Sequence, residues 1–258
     1  MNIATLQRLP QQIPSDSRPV YALIGVWVLS MISLPIFRWT IGDSAIVWGV
    51  NVTTVLQAAV SFAILVPAWG LARAARTAAI VVVMTWGVEA IGTATGFPFG
   101  HYDYTAALQP QLLNVPVLIA LAWFMMLPAA WAVGEVLSGG SYGIRFVVMS
   151  ALAMTAWDFF LDPQMVGWGL WEWNSAGQFS YFGIPWVNFA GWFATAVIVT
   201  LVACPRNLPV TPLLTIYVTV WILQTIGQVF FWGLFGPAIV GFFSMGIFVV
   251  LAFQRLRN

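Results

Sequence analysis

Residues 115–163 read VPVLIALAWFMMLPAAWAVGEVLSGGSYGIRFVVMSALAMTAWDFFLDP. Two apolar runs, near 115–137 and 143–161, flank a Ser-Gly-Gly-Ser break at 138–141. Each is roughly long enough to cross a hydrocarbon core about 30 Å thick. Neither alternates polar with apolar positions, so both read as helices and not as barrel strands. The stretch is therefore a transmembrane helical hairpin. Its four charges fall at Glu135 and Arg145 beside the break, and at Asp158 and Asp162 where the second run ends.

Working outward, six more apolar runs lie near 20–37, 45–70, 77–97, 184–204, 211–233 and 237–254. The expectation is an all-α integral membrane bundle of about eight helices. It comprises an N-terminal tail at 1–19, one polytopic domain at 20–254 and a short tail at 255–258. Composition agrees: 61% of the 258 residues are hydrophobic and 7% are charged, against about 25% charged in soluble domains. That excludes a soluble enzyme, a disordered chain and a nucleic-acid-binding module. The polar first 19 residues lack the apolar run and cleavage site of a signal peptide.

An even number of spans puts both termini on one side. Arg8, Arg18, Arg73, Arg76, Arg145, Arg206, Arg255 and Arg257 fall on that side, and Arg38 on the other. The positive-inside rule makes the arginine-rich side cytoplasmic, as for a multi-pass protein of the cell (inner) membrane. All nine basic residues are arginine, so Schiff-base chemistry on a lysine is excluded. One cysteine, Cys204, and one histidine, His101, exclude a disulfide, a thiolate cluster and a multi-histidine metal site within the chain.

Ionisable residues inside a membrane are costly and are functional candidates. Glu89 and Thr93 lie one turn apart near the outer end of the third helix. Asp158 and Asp162 close the fifth, Asn188 opens the sixth, and Gln224 and Gln228 lie in the outer half of the seventh. At one depth they suggest a polar pocket near the outer interface. Glu135 is the exception, and its plain partner is Arg145. Asp158 and Asp162, spaced i, i+4, share a helix face. Two carboxylates that close cannot both ionise cheaply, so one is expected to keep a proton and act as a general acid. Pro163 is expected to end the helix at Asp162. His101 and Asp103 form a possible dyad in the first long outer loop, although a loop histidine is more often simply solvated. No internal repeat is strong enough to claim, although helices three and five each run from an acid into a Gly/Pro/aromatic loop.

Glu89-x-x-Gly92-x-x-Thr95-Gly96-x-Pro98-Phe99-Gly100-x-Tyr102-x-Tyr104, Asp158-x-x-x-Asp162-Pro163, Trp171-x-Trp173 and Tyr181-x-Gly183-Ile184-Pro185-x-x-Asn188-Phe189-x-Gly191-Trp192 follow in order. This set resembles the CruF-type carotenoid biosynthesis family of membrane hydratases, over about Glu89 to Trp192. The resemblance implies addition of water to the terminal double bond of an acyclic carotenoid: lycopene, γ-carotene or a C50 precursor. The reaction is redox-neutral and needs no cofactor. It implies Asp158 and Asp162 as proton donors and Glu89 as a second candidate that activates water. Tyr102, Tyr104 and Asn188 would position the water, and Trp157, Trp168 and Trp171 would shield a cation. The other partners expected are the lipid bilayer and a second copy of the chain in a homo-oligomer.

Three alternatives stay open on the sequence. A carotenoid cyclase also begins by protonating an end group. A proton-coupled transporter would use Glu89 and Asp158 as proton sites. A non-catalytic carotenoid-binding protein would need neither.

Overall fold

The computed structural model describes residues 18–175 and 177–258; of the expected tail at 1–19, residues 1–17, with Arg8, lie outside the described residues, and 18–19 belong to the first helix. Among the described residues eight helices form the bundle: α1 (Arg18–Ile41), α2 (Ser44–Trp69), α3 (Leu71–Thr95), α4 (Val117–Ser138), α5 (Ile144–Gly167), α6 (Trp186–Ala203), α7 (Val210–Phe230) and α8 (Phe235–Arg257). All are long and apolar enough to cross a membrane. The expected C-terminal tail is helical, since α8 continues to Arg257. Gly70 alone separates α2 from α3, so Arg73 and Arg76 stand in the first turns of α3 and not in a loop.

α4 is the central helix. It packs on α2, α3, α5, α7 and α8, and nearly all of it from Leu118 to Leu137 is buried. A helix apolar on every face belongs inside a bundle. Lipid is as apolar as the core, so close backbone approach and polar contacts hold the helices together. A Cβ at Gly134 of α4 would lie 2.9 Å from the Phe146 carbonyl oxygen of α5. Trp131 Nε1 donates to Thr200 Oγ1 at 2.8 Å, and Tyr217 Oη donates to the Ala153 carbonyl at 3.0 Å. Glu135 does not pair with Arg145. The Tyr142 hydroxyl lies beside it instead, and burial and that carboxylate push the phenol well above its usual range. The one ion pair among the described residues joins Arg38 to Asp43 at 2.8 Å.

Helix α5 does not stop at Asp162. It runs through Pro163 to Gly167. A proline inside a helix removes the N–H that would bond the carbonyl four residues back, here that of Phe159. Tyr181 Oη donates to that carbonyl at 3.0 Å. The orphan is satisfied from another segment, so the helix continues.

Six short strands cap the end of the bundle opposite most of the arginines: β1 (Tyr102–Tyr104), β2 (Gln111–Leu112), β3 (Val115–Pro116), β4 (Trp171–Trp173), β5 (Ser180–Tyr181) and β6 (Ile184–Pro185). The two long loops are zipped together by β1 and β4, antiparallel with Asp103 opposite Glu172. β2–β3 and β5–β6 are hairpins turning at Leu113-Asn114 and Phe182-Gly183, all four residues at positive φ, as the favoured two-residue hairpin turn requires.

The same order, helix, strand, hairpin, helix, thus occurs twice, as α3 to α4 and as α5 to α6. Glu89 and Asp158, Gly100 and Gly169, Tyr102 and Trp171, Asp103 and Glu172, Pro116 and Pro185, and Trp123 and Trp192 each stand 69 residues apart. The units run in the same sense, so this is a parallel duplication and not an inverted one.

Candidate active site

Strand periodicity aims the side chains. In β1, Tyr102 and Tyr104 point inward and Asp103 outward; in β4, Trp171 and Trp173 point inward and Glu172 outward. Cross-strand aromatic pairs hold the register, with ring centroids 5.0 Å apart for Tyr102–Trp173 and 5.7 Å for Tyr104–Trp171. The 97–99 turn plugs the space behind them. Phe99 is buried between α3 and α6, where a Cβ at Gly191 would lie 2.8 Å from the Pro98 carbonyl oxygen. Gly92, one turn after Glu89, leaves the room that the Tyr102 hydroxyl occupies.

These elements wall a largely apolar cavity of about 630 Å³. Glu89, Tyr102, Tyr104, Asp162, Asn188, Gln224, Trp157, Trp168 and Trp171, all expected from the sequence, line it. Trp173, an outer-loop indole also expected to wall a pocket, lines it as well, and Trp123, Trp192, Gln57 and Gln164 line it without having been anticipated. The signal for Trp123 and Trp192 was the 69-residue offset.

The three carboxyl groups differ in their partners. Three donors reach Glu89: Tyr102 Oη at 2.5 Å and Tyr104 Oη at 2.9 Å on Oε2, and Trp123 Nε1 at 3.1 Å on Oε1. Asp162 has two. Trp171 Nε1 donates to Oδ1 at 2.8 Å, and Asn188 Nδ2 donates to Oδ2. Asp158 is fully buried behind this wall. Its Oδ2 accepts from the same Asn188 Nδ2 at 2.9 Å, while its Oδ1 has no partner. One amide nitrogen therefore bridges the two aspartates. Burial, and then the neighbouring Glu89 carboxylate, push the Tyr102 and Tyr104 phenols far above their ordinary range. Both stay protonated donors.

Other expected residues lie elsewhere. Gln228 is buried off the cavity, donating to the Phe160 carbonyl at 2.7 Å and to Gln164 Oε1 at 3.1 Å. Thr93 Oγ1 donates to its own helix at Ala90 O, 3.2 Å away. His101 and Asp103 are exposed and form no dyad. Asp103 instead accepts from Asn174 Nδ2 at 3.0 Å, because the strand that points both tyrosines inward must point Asp103 out.

Indoles surround the acids. Trp123 and Trp192 stack, and Trp157 meets Trp192 edge-on at 6.0 Å between centroids. Aromatic faces stabilise cations by about 0.5–2 kcal/mol each. The arrangement offers a proton, a proton acceptor and cation-stabilising walls around an apolar space.

A family model described as "Carotenoid biosynthesis protein" matches residues 49–248. Bisanhydrobacterioruberin hydratase of Haloarcula japonica is 29% identical over 133 residues, covering 50% of this chain and 44% of that protein. The chain thus spans less than half the length of that relative. No solved structure matches.

Proposed function

The chain belongs to the carotenoid biosynthesis family, and from that premise we propose that it is a carotenoid hydratase. Water adds across the terminal C1=C2 bond of an acyclic end group and leaves a tertiary alcohol. The observation that carries this reading is the contrast between two carboxyl groups on one indole-walled cavity. Glu89 meets three donors and Asp162 is coupled through Asn188 to a buried second aspartate. The related hydratase of Haloarcula japonica supports it.

The donor is Asp162, which faces the cavity. Asp158, with an unpartnered oxygen behind it, is the proton store that shares its load. Protonation at C2 leaves a tertiary cation at C1, flanked by Trp123, Trp157 and Trp192. A water held by Tyr104 attacks C1 and passes its proton to Glu89, on which three donors and no acceptor converge. One proton leaves Asp162 and one arrives at Glu89. Return of that proton through cavity water resets the site, and the net change is addition of H2O. Side chains of this chain supply every proton donor and acceptor that the addition needs. By the positive-inside rule we read this as an inner-membrane protein whose arginine-rich end faces the cytoplasm and whose strand-bearing end faces outward.

Expression in a lycopene-accumulating bacterium, with pigments separated and weighed by mass spectrometry, tests this. A product heavier by one water is expected. A product of unchanged mass with a ring end group would replace the hydratase with a cyclase.

A further inference from the structure

The cavity is too short for the whole substrate proposed above. Its lining runs from Val220 on α7 to Phe231 just past its end, and from Trp157 on α5 to Trp168 just past its end, about 16 Å at 1.5 Å per residue. An acyclic polyene of this class is roughly 30 Å long, about the thickness of the hydrocarbon core. Half of it must lie outside.

The structure provides an exit toward the bilayer. On α1, Ile32 and Ile36 both line the cavity and are exposed on the bundle surface, at 47% and 50%. On α7, Ile226 does the same at 41%. A side chain that faces both the cavity and the exterior stands in an opening. α1 packs along α2 and touches α7 sparsely. At the strand-bearing end the gap is roofed. The Trp39 and Phe231 rings lie 5.2 Å apart, the Arg38 guanidinium sits 5.4 Å over Trp232, and Arg38 also pairs with Asp43. The opening therefore faces the hydrocarbon side and not the aqueous surface.

We propose that the reacting end of the chain enters sideways from the bilayer between α1 and α7, below the Arg38–Trp39 roof. The far half trails out along the α1–α7 cleft. This rests on the hydratase reading and extends it. The occupant is a long, rigid apolar chain already dissolved in the membrane, which reaches the acids without crossing the interface. The site then reads one end group at a time.

The test places a removable plug in the mouth. Ile36→Cys is made in a Cys204→Ser background, since Cys204 is exposed, and is reconstituted in phosphatidylcholine–phosphatidylglycerol nanodiscs. A bulky methanethiosulfonate reagent labels it through a disulfide that reductant removes. Two substrates are compared: lycopene, and a ten-carbon acyclic terpene with the same isopropylidene end, short enough to lie wholly inside. Labelling is expected to lower the ratio of lycopene to terpene kcat/KM at least tenfold, and reduction to restore it in the same molecules, which controls for folding. A ratio unchanged within twofold overturns the lateral route. Lycopene retained per protein is read in parallel by absorbance. Should the unlabelled protein add water to neither substrate, the hydratase reading falls, and loss or retention of bound lycopene on labelling still decides the route.

Discussion

Trp123 and Trp192 stack with ring centroids 4.1 Å apart and planes 16° apart, and they hold the same position in the two halves of the repeat. They have diverged in what they do. Trp123 donates to Glu89, while Trp192 makes a T-shaped contact with Trp157. Trp123→Phe keeps much of the stack and removes that donor. Losing a hydrogen bond to a charged group costs about 1.5–3 kcal/mol, so turnover is expected to fall about 10- to 100-fold. Steady-state kinetics on lycopene checks this, and unchanged turnover would detach Glu89 from the chemistry.

Asp162→Asn and Asp158→Asn are each expected to lower hydration at least about a thousandfold, the upper range for general acid catalysis. Both variants should stay folded and retain pigment, because Asn188 keeps a neighbouring acceptor. Thr93→Val and His101→Asn, whose side chains lie off the cavity, should stay within twofold of the parent. Retained turnover in Asp158→Asn would remove the proton store from the mechanism.

The two raised phenols give stability a pH dependence of definite sign. Above pH about 10 the unfolded chain loses the protons of Tyr102 and Tyr104, while the folded chain, with both pushed far higher, keeps them. The unfolded state then binds fewer protons, so stability falls as pH rises, by about 1.4 kcal/mol per pH unit for each phenol. Thermal unfolding between pH 8 and 11 should show a falling Tm, with a shallower fall in Tyr102→Phe/Tyr104→Phe. Parallel curves would show that the pair does not carry the effect.

Tyr181 and Pro163 are coupled through the Phe159 carbonyl. Tyr181→Phe leaves that part-buried acceptor unsatisfied and is expected to cost about 1–3 kcal/mol. In a Pro163→Ala background the restored N–H takes the carbonyl, and the cost should fall by more than half. A double-mutant cycle on unfolding free energy measures the coupling; independent costs would mean another group satisfies Phe159.

Much of this protein was legible in one dimension. Eight apolar runs predict eight helices, since a lipid-spanning chain must satisfy its backbone internally. The seven arginines within the described residues, other than Arg38, fall at one end of the bundle. The acids, tyrosines and Asn188 stood out because polar groups are rare in such a sequence. The 69-residue offset was present as well, carried by Pro116 and Pro185 and by Trp123 and Trp192.

Position along the chain by itself determined the helix count, the clustering of charge and the candidate acids, because hydropathy and spacing are local properties. The tertiary structure alone decided which acid meets the cavity, because direction depends on packing. It placed Asp162 on the wall and Asp158 behind it, although both share one helix face. It carried α5 through Pro163, because the satisfying hydroxyl comes from Tyr181, far along the chain. It turned Asp103 away from the site, because β1 pairs with a strand nearly seventy residues on. In each case the deciding partner is distant in sequence and close in space.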